Sequence, residues 1–125
     1  MKKIAILGPI HNDGWEFLQK LQYDVIEITD ITKENLIKEL SDVDGIILRT
    51  ATLSADVMSA CPNLKIVARH GVGYDNVDLL AAKNKKITIS ITANSLSSTV
   101  AEHVFFMMLI MTVVLYIVWL TLGQL

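Results

Sequence analysis

Residues 65–78 read Lys65-Ile66-Val67-Ala68-Arg69-His70-Gly71-Val72-Gly73-Tyr74-Asp75-Asn76-Val77-Asp78. A β-branched, apolar run, Lys65–Arg69, ends on a cation and opens directly into two glycines one residue apart. A continuous apolar run of this length suits a strand buried on both faces. The glycines after it mark a tight strand-to-helix turn. Working outward, strands are expected at Lys3–Leu7, Asp24–Glu27, Gly45–Arg49 and Ile87–Ser90. Between them Trp15, Leu18, Leu21 and then Leu36, Ile37, Leu40 recur at helical spacing, one apolar stripe per helix, and both stripes are expected to be core. Strands alternating with helices predict a doubly wound α/β fold, a parallel five-stranded sheet covered on both faces. Thr32, Ser54 and the Asp75-Asn76 pair are placed to cap the helices that follow, and Asp13-Gly14 to open the first.

Composition narrows the function. The chain has 125 residues, enough for one lobe with a real core. Eleven basic residues stand against thirteen acidic, and the basic grouping Lys83, Lys85 and Lys86 is too small for a nucleic-acid footprint. Cys61 is the single cysteine, so it forms no intrachain disulfide and reads as a small buried residue of a reducing, cytoplasmic setting. The start, Met1-Lys2-Lys3-Ile4-Ala5-Ile6-Leu7, loses its apolar character at Gly8-Pro9 and is a first strand, not a signal peptide.

The C-terminal part is different. Thr99-Val100-Ala101-Glu102 has capping-box spacing and is expected to open a long helix. Val104 to Leu122 carries no charge over nineteen residues, interrupted by Thr112 and Thr121, which meets the length test for a membrane span. Unbroken from Thr99 to Leu122, the helix would be roughly 36 Å long at about 1.5 Å per residue, more than a small domain is wide. Met107, Met108 and Met111 are core filling on that helix.

In an open parallel sheet, ligands bind beyond the carboxyl ends of the strands, here the loops at Gly8, Arg49, Arg69 and Ser90. The first loop, Gly8-Pro9-Ile10-His11-Asn12, lacks the Gly-x-Gly-x-x-Gly of a dinucleotide site. Arg49-Thr50 after the third strand excludes a signalling receiver domain, which needs an aspartate there. Gly71-Val72-Gly73 allows successive backbone N–H groups to form an anion-holding nest. Arg49 and Arg69, at neighbouring strand ends, can pair bidentately with a carboxylate or phosphate; the bland alternative for each is a surface ion pair. Two arginines and a nest describe a small acidic ligand. His11, His70 and His103 lack metal-ligand spacing, and Ser95, Ser97 and Ser98 lack the turn a nucleophilic serine requires.

The stretch Ala60-Cys61-Pro62-Asn63-Leu64 continuing through Lys65–Asp78 closely resembles the D-isomer-specific 2-hydroxyacid dehydrogenases, particularly the phosphoglycerate dehydrogenase-like members. Ile47-Leu48-Arg49-Thr50 and Thr99-Val100-Ala101-Glu102-His103 match the same family in the same order. The resemblance covers about residues 1 to 110. It implies a flavodoxin-like substrate-binding domain over residues 1–98, then a helix, 99–125, that crosses toward an NAD-binding domain. It further implies that Arg49, Arg69, Val72, Gly73 and Asn94 face a 2-hydroxy or 2-oxo acid, with Val72 and Val100 near the nicotinamide. Asn94 lies about two residues farther from Val100-Ala101-Glu102 than the family pattern has it. The family's hydride chemistry comes from an arginine, a glutamate and a histidine in and after the cofactor domain, positions with no counterpart in residues 1–125. Residues 1–125 alone are therefore expected to be inactive, and their oligomeric state is left open.

Past Met107-Met108-Leu109 the family continues with a charged amphipathic segment, whereas Ile110 to Leu120 is apolar. Two accounts follow. A frameshift or early stop near residue 111 would give an unrelated tail; alternatively, 104–122 is a membrane anchor with Trp119 near one interface and Gly123-Gln124-Leu125 beyond. The anchor lacks a Lys/Arg cluster on its inner flank. In that second account the chain is a non-enzymatic carboxylate-binding module tethered to a membrane.

Overall fold

The computed structural model describes residues 1–94 and 96–122, and it forms two compact units, Met1–Thr92 and Ala93–Leu125. The first unit runs β1 (Lys3–Leu7), α1 (Asn12–Lys20), β2 (Asp24–Ile28), α2 (Lys33–Glu39), β3 (Gly45–Leu48), α3 (Ala55–Ser59), β4 (Ile66–Arg69), α4 (Leu79–Asn84) and β5 (Thr88–Ile91). The strands pair in parallel in the order β2-β1-β3-β4-β5, the α/β sheet expected from the alternation. Strand ends shift by a residue. The consequential shift is at β3, which stops at Leu48 and leaves Arg49 as the first residue beyond the sheet.

The core sits around the two inner strands. Ala5, Ile6 and Leu7 of β1 and Ile46 and Leu48 of β3 are fully shielded, and Leu36, Val57, Met58 and Ala82 pack in from α2, α3 and α4. Two expectations need correction. Burial on both faces does not extend to the edge strands: no residue of β5 is buried, and β2 buries only Ile28. An edge strand has one neighbour and less helix above it. The α1 stripe is likewise not core: Trp15 and Leu18 are half-buried and Leu21 is exposed, because α1 lies against the edge strand β2.

Caps follow local chemistry where the chain is local. Ser54 Oγ accepts from the Val57 N–H at 3.5 Å and begins α3. Thr32 occupies the N-cap of α2 without a side-chain cap bond; its own N–H donates to Asp30 Oδ1 at 3.0 Å. His11 Nδ1 accepts from the Asp13 N–H at 3.4 Å, so His11 caps α1 and Asp13 lies in its first turn. The expected Asp75-Asn76 cap is replaced by Asp78, whose Oδ1 accepts from the Ala81 N–H at 2.9 Å. The reason is non-local. Leu53 bridges to Val77, with Leu53 N–H on Asn76 O at 2.8 Å and Asp78 N–H on Leu53 O at 3.1 Å, and this extended contact delays the helix.

The second unit is α5 (Ser97–Leu122), 26 residues and therefore about 39 Å at ~1.5 Å per residue. It starts two residues before Thr99, which places Thr99 inside the first turn and removes the capping box. Every described residue of α5 is exposed, and no side of the helix is polar. Thr112 and Thr121 turn their hydroxyls back to Met108 O and Val118 O, each at 2.9 Å, so both are satisfied within the helix. By length and composition the helix is long and apolar enough to cross a membrane. Ser95 and Gly123-Gln124-Leu125 lie outside the described residues.

Candidate functional site

Because β1 lies between β2 and β3, the chain leaves the sheet in opposite directions on its two sides, and a crevice opens beyond the carboxyl ends of β1 and β3. Gly8 follows β1 and Arg49 follows β3, with the Arg49 N–H on Leu7 O at 3.0 Å. In the β3–β4 register Leu48 faces Arg69, so the two arginines arrive at the same sheet end one residue out of step. Between them lies a pocket of about 290 Å³ lined by Arg49, Thr50, Arg69, Gly73, Asp75 and Asn76.

Each arginine is restrained by backbone. Arg49 Nη1 donates to Pro9 O at 3.0 Å. Arg69 folds over Gly71, where an added Cβ would meet Nη1 at 2.9 Å, and its Nη1 donates to the His70 carbonyl. Gly71 has φ +144°, a conformation a side chain would strain. Arg69 Nε is buried without an acceptor among the described residues. A buried donor left unpaired costs about 1–3 kcal/mol, so an acceptor that reached this nitrogen would recover part of that cost. Among the described residues neither arginine forms an ion pair with a carboxylate.

The expected two-glycine nest takes a different form. Of Gly71 and Gly73, only Gly71 has positive φ. Its N–H is engaged by Arg69 O at 3.0 Å, and its carbonyl accepts from the Thr92 N–H at 3.1 Å. Those bonds fix the turn at Gly71 and leave the N–H groups of Val72 and Gly73 without acceptors among the described residues. Gly73 lines the pocket; Val72 does not and is exposed. Asn94 and Val100 belong to the second unit, where Val100 donates its N–H to Leu96 O at 2.9 Å.

Three wall residues escaped the sequence reading: Thr50, Asp75 and Asn76. Thr50 was legible only as the neighbour of Arg49. Asn76 had a competing explanation as a cap, yet its Nδ2 donates to Ala51 O at 2.6 Å and pins the β4–α4 loop to the segment after β3. Away from the pocket, Cys61 is buried and donates its thiol to Val57 O at 3.0 Å; burial pushes its pKa up to about 11, against a smaller downward pull from Lys85. It is a structural thiol.

These residues offer no cradle for the pyrophosphate of a dinucleotide. The loop after β1 presents the Pro9 carbonyl to Arg49, and proline has no N–H to give a phosphate. The amide that opens α1 is already taken by His11.

Comparison with known proteins gives this geometry a lineage. Residues 4–122 match the family model for the D-isomer specific 2-hydroxyacid dehydrogenase catalytic domain, carrying the likeness past residue 110, where the recognisable motifs end. D-3-phosphoglycerate dehydrogenase from Sus scrofa is 40% identical over 103 residues, covering 82% of this chain and 19% of that protein. Hydroxypyruvate reductase from Thermotoga maritima is 32% identical over 108 residues, covering 86% of this chain and 35% of that protein. The chain thus spans a fifth to a third of the length of these relatives. Among solved structures, the NAD-dependent formate dehydrogenase from Staphylococcus aureus in complex with NAD superposes with TM-score 0.75 at 31% identity, over 86% of this chain and 38% of that one. A glyoxylate/hydroxypyruvate reductase from Sinorhizobium meliloti, solved with NADP and malonate, gives TM-score 0.74 at 30% identity, over 86% of this chain and 33% of that one. NAD, the cofactor implied by the sequence motifs, is the cofactor bound in solved relatives. A parallel sheet with arginines at the ends of β3 and β4, matched along almost its whole length by one family model, belongs to the D-isomer specific 2-hydroxyacid dehydrogenase family.

Proposed function

We propose that residues 1–125 supply the acid-recognition half of the cleft of an NAD-dependent oxidoreductase that acts on a small D-2-hydroxy acid or its 2-oxo counterpart. The observation that carries this is the pair Arg49 and Arg69, brought by adjacent parallel strands to one pocket and unpaired with any carboxylate among the described residues. A guanidinium with free N–H donors at the end of a strand grips a carboxylate in a fixed orientation. The open amides of Val72 and Gly73 add neutral donors for the same anion. Thr50, Asp75 and Asn76 complete a polar wall in which two guanidiniums outnumber one carboxylate, so an acid is favoured over an apolar molecule.

In this reading, residues 1–98 are the substrate domain, Asn94 approaches the same acid, and Val72 and Val100 border the nicotinamide. The lobe's part in catalysis is orientation: it fixes the carboxylate so that the reacting carbon is presented at one angle. The hydride donor and the acid that polarises the oxygen come from a cofactor domain outside residues 1–125, and the setting is read as cytoplasmic, with which a lone reduced thiol is consistent.

The experiment is a test of division of labour. Residues 1–125 alone should oxidise no NADH with 2-oxo acids, while the same residues fused after Leu109 to the cofactor domain of a relative should do so. Turnover by residues 1–125 alone would overturn the proposal. So would a fusion whose activity is indifferent to Arg49→Gln and Arg69→Gln.

A further inference from the structure

We infer that Gly8 and Pro9 are positioning residues for Arg49: the loop after β1 serves as a clamp for this guanidinium. The inference rests on the acid-binding reading of the pocket and assigns a role to two residues outside its wall.

An arginine at a strand end has a long, rotatable side chain, and binding through it normally costs the rotamer freedom that binding removes. Arg49 has lost much of that freedom already. Gly8 adopts φ +103°, and a Cβ placed there would lie 3.1 Å from Arg49 Cβ, 3.7 Å from Arg49 Cδ and 3.4 Å from Thr50 Oγ1. The stem of Arg49 thus lies across the bare face of Gly8, and Thr50 closes on the same point. One residue on, the Pro9 carbonyl accepts from Arg49 Nη1 at 3.0 Å. The proline ring restricts φ, which narrows the directions that carbonyl can take. Glycine lets the stem pass, proline aims the acceptor, and one of five guanidinium N–H groups is used while the others remain for the pocket. The two features that disqualify this loop as a phosphate cradle, one glycine and a proline without N–H, are those that suit it to hold an arginine.

The test is a double-mutant cycle in the full chain held in mild detergent, with D-lactate and pyruvate as probes and their dissociation constants read by calorimetry. Gly8→Ala should weaken acid binding about tenfold through misplacement of Arg49. In an Arg49→Gln background the same substitution should cause no further loss, since a residue that acts through another has nothing left to act on. Equal binding by Gly8→Ala, or the same loss in both backgrounds, would overturn the clamp. An Arg49→Gln variant that binds as tightly as the unaltered chain would instead sink the acid-binding reading itself. Positive φ makes alanine at position 8 strained, so a second measurement needs no substitution. The Nε–H order parameter of Arg49 should approach the rigid-backbone value of about 0.85, and a value below about 0.6 would contradict the clamp even if Gly8→Ala fails to fold.

Discussion

Asn76 Nδ2 donates to the Ala51 carbonyl at 2.6 Å, and that single bond joins the segment that follows Arg49 to the segment that follows Gly73. The Leu53–Val77 bridge continues the same seam. Replacing Asn76 with Ala should therefore lower unfolding stability by about 1–2 kcal/mol, the cost of a partly buried carbonyl losing its donor. Asn76→Asp should be worse above the carboxylate pKa, because it sets an acceptor against an acceptor. Urea midpoints for the two variants check both the size and the order.

If Arg69 binds an acid, its buried donor is a stability cost that a variant can expose. Its Nε is buried without an acceptor, so Arg69→Met, which keeps an apolar stem and discards the donor, should leave stability unchanged or raise it by up to about 1 kcal/mol. Acid binding by the same variant should fall at least about tenfold. A variant that is less stable yet binds normally would assign Arg69 to the framework instead.

The buried apolar residues all lie between Ala5 and Ile87 among the described residues. Removal of residues 93–125 should accordingly leave the urea midpoint of the remainder almost unmoved. It should also make the remainder less prone to self-association, because α5 exposes apolar side chains on every side. Size-exclusion profiles with and without detergent read this directly; a drop in stability on deletion would show that α5 supports the sheet.

Cys61 predicts a pH signature. With a pKa of about 11 against an ordinary 9.0, the folded state holds roughly a hundredfold less thiolate at pH 8 than an unexposed-to-burial thiol would, so alkylation should be slower by a similar factor until denaturant is added. The folded pKa is raised and the group binds a proton, so its contribution to stability is complete below about pH 9 and is lost as pH climbs toward about 11. Native-state alkylation rates and alkaline unfolding curves of the unaltered chain and Cys61→Ala test the two halves of this statement.

Sequence patterning revealed the five strands and the two arginines because both are local. A β-branched run reads as a strand wherever it pairs, and a cation ending such a run sits at a sheet end by construction. What escaped it depends on distant partners. The helix after the glycine loop begins at Asp78 because Leu53 holds Val77 in an extended bridge, and no spacing within residues 71–79 encodes Leu53. Asn76 faces Ala51 for the same reason. The α1 stripe reads as core by period alone, yet its exposure is set by strand order, which puts β2 at the edge. At Gly71-Val72-Gly73 the residues allowed either an anion nest or a plain strand-to-helix turn, and the bonds of Gly71 to Arg69 and Thr92 fix a positive φ at Gly71 alone.

Recognition of a small acid at the ends of β3 and β4 is tested most directly by a residue-resolved NMR titration of the full chain with D-lactate and pyruvate. Shifts should concentrate on the amides of Gly71, Val72 and Gly73 and on the guanidinium signals of Arg49 and Arg69, saturate together, and vanish in the Arg49→Gln, Arg69→Gln double variant. Shifts scattered over the surface, or a response that survives the loss of both arginines, would contradict the account.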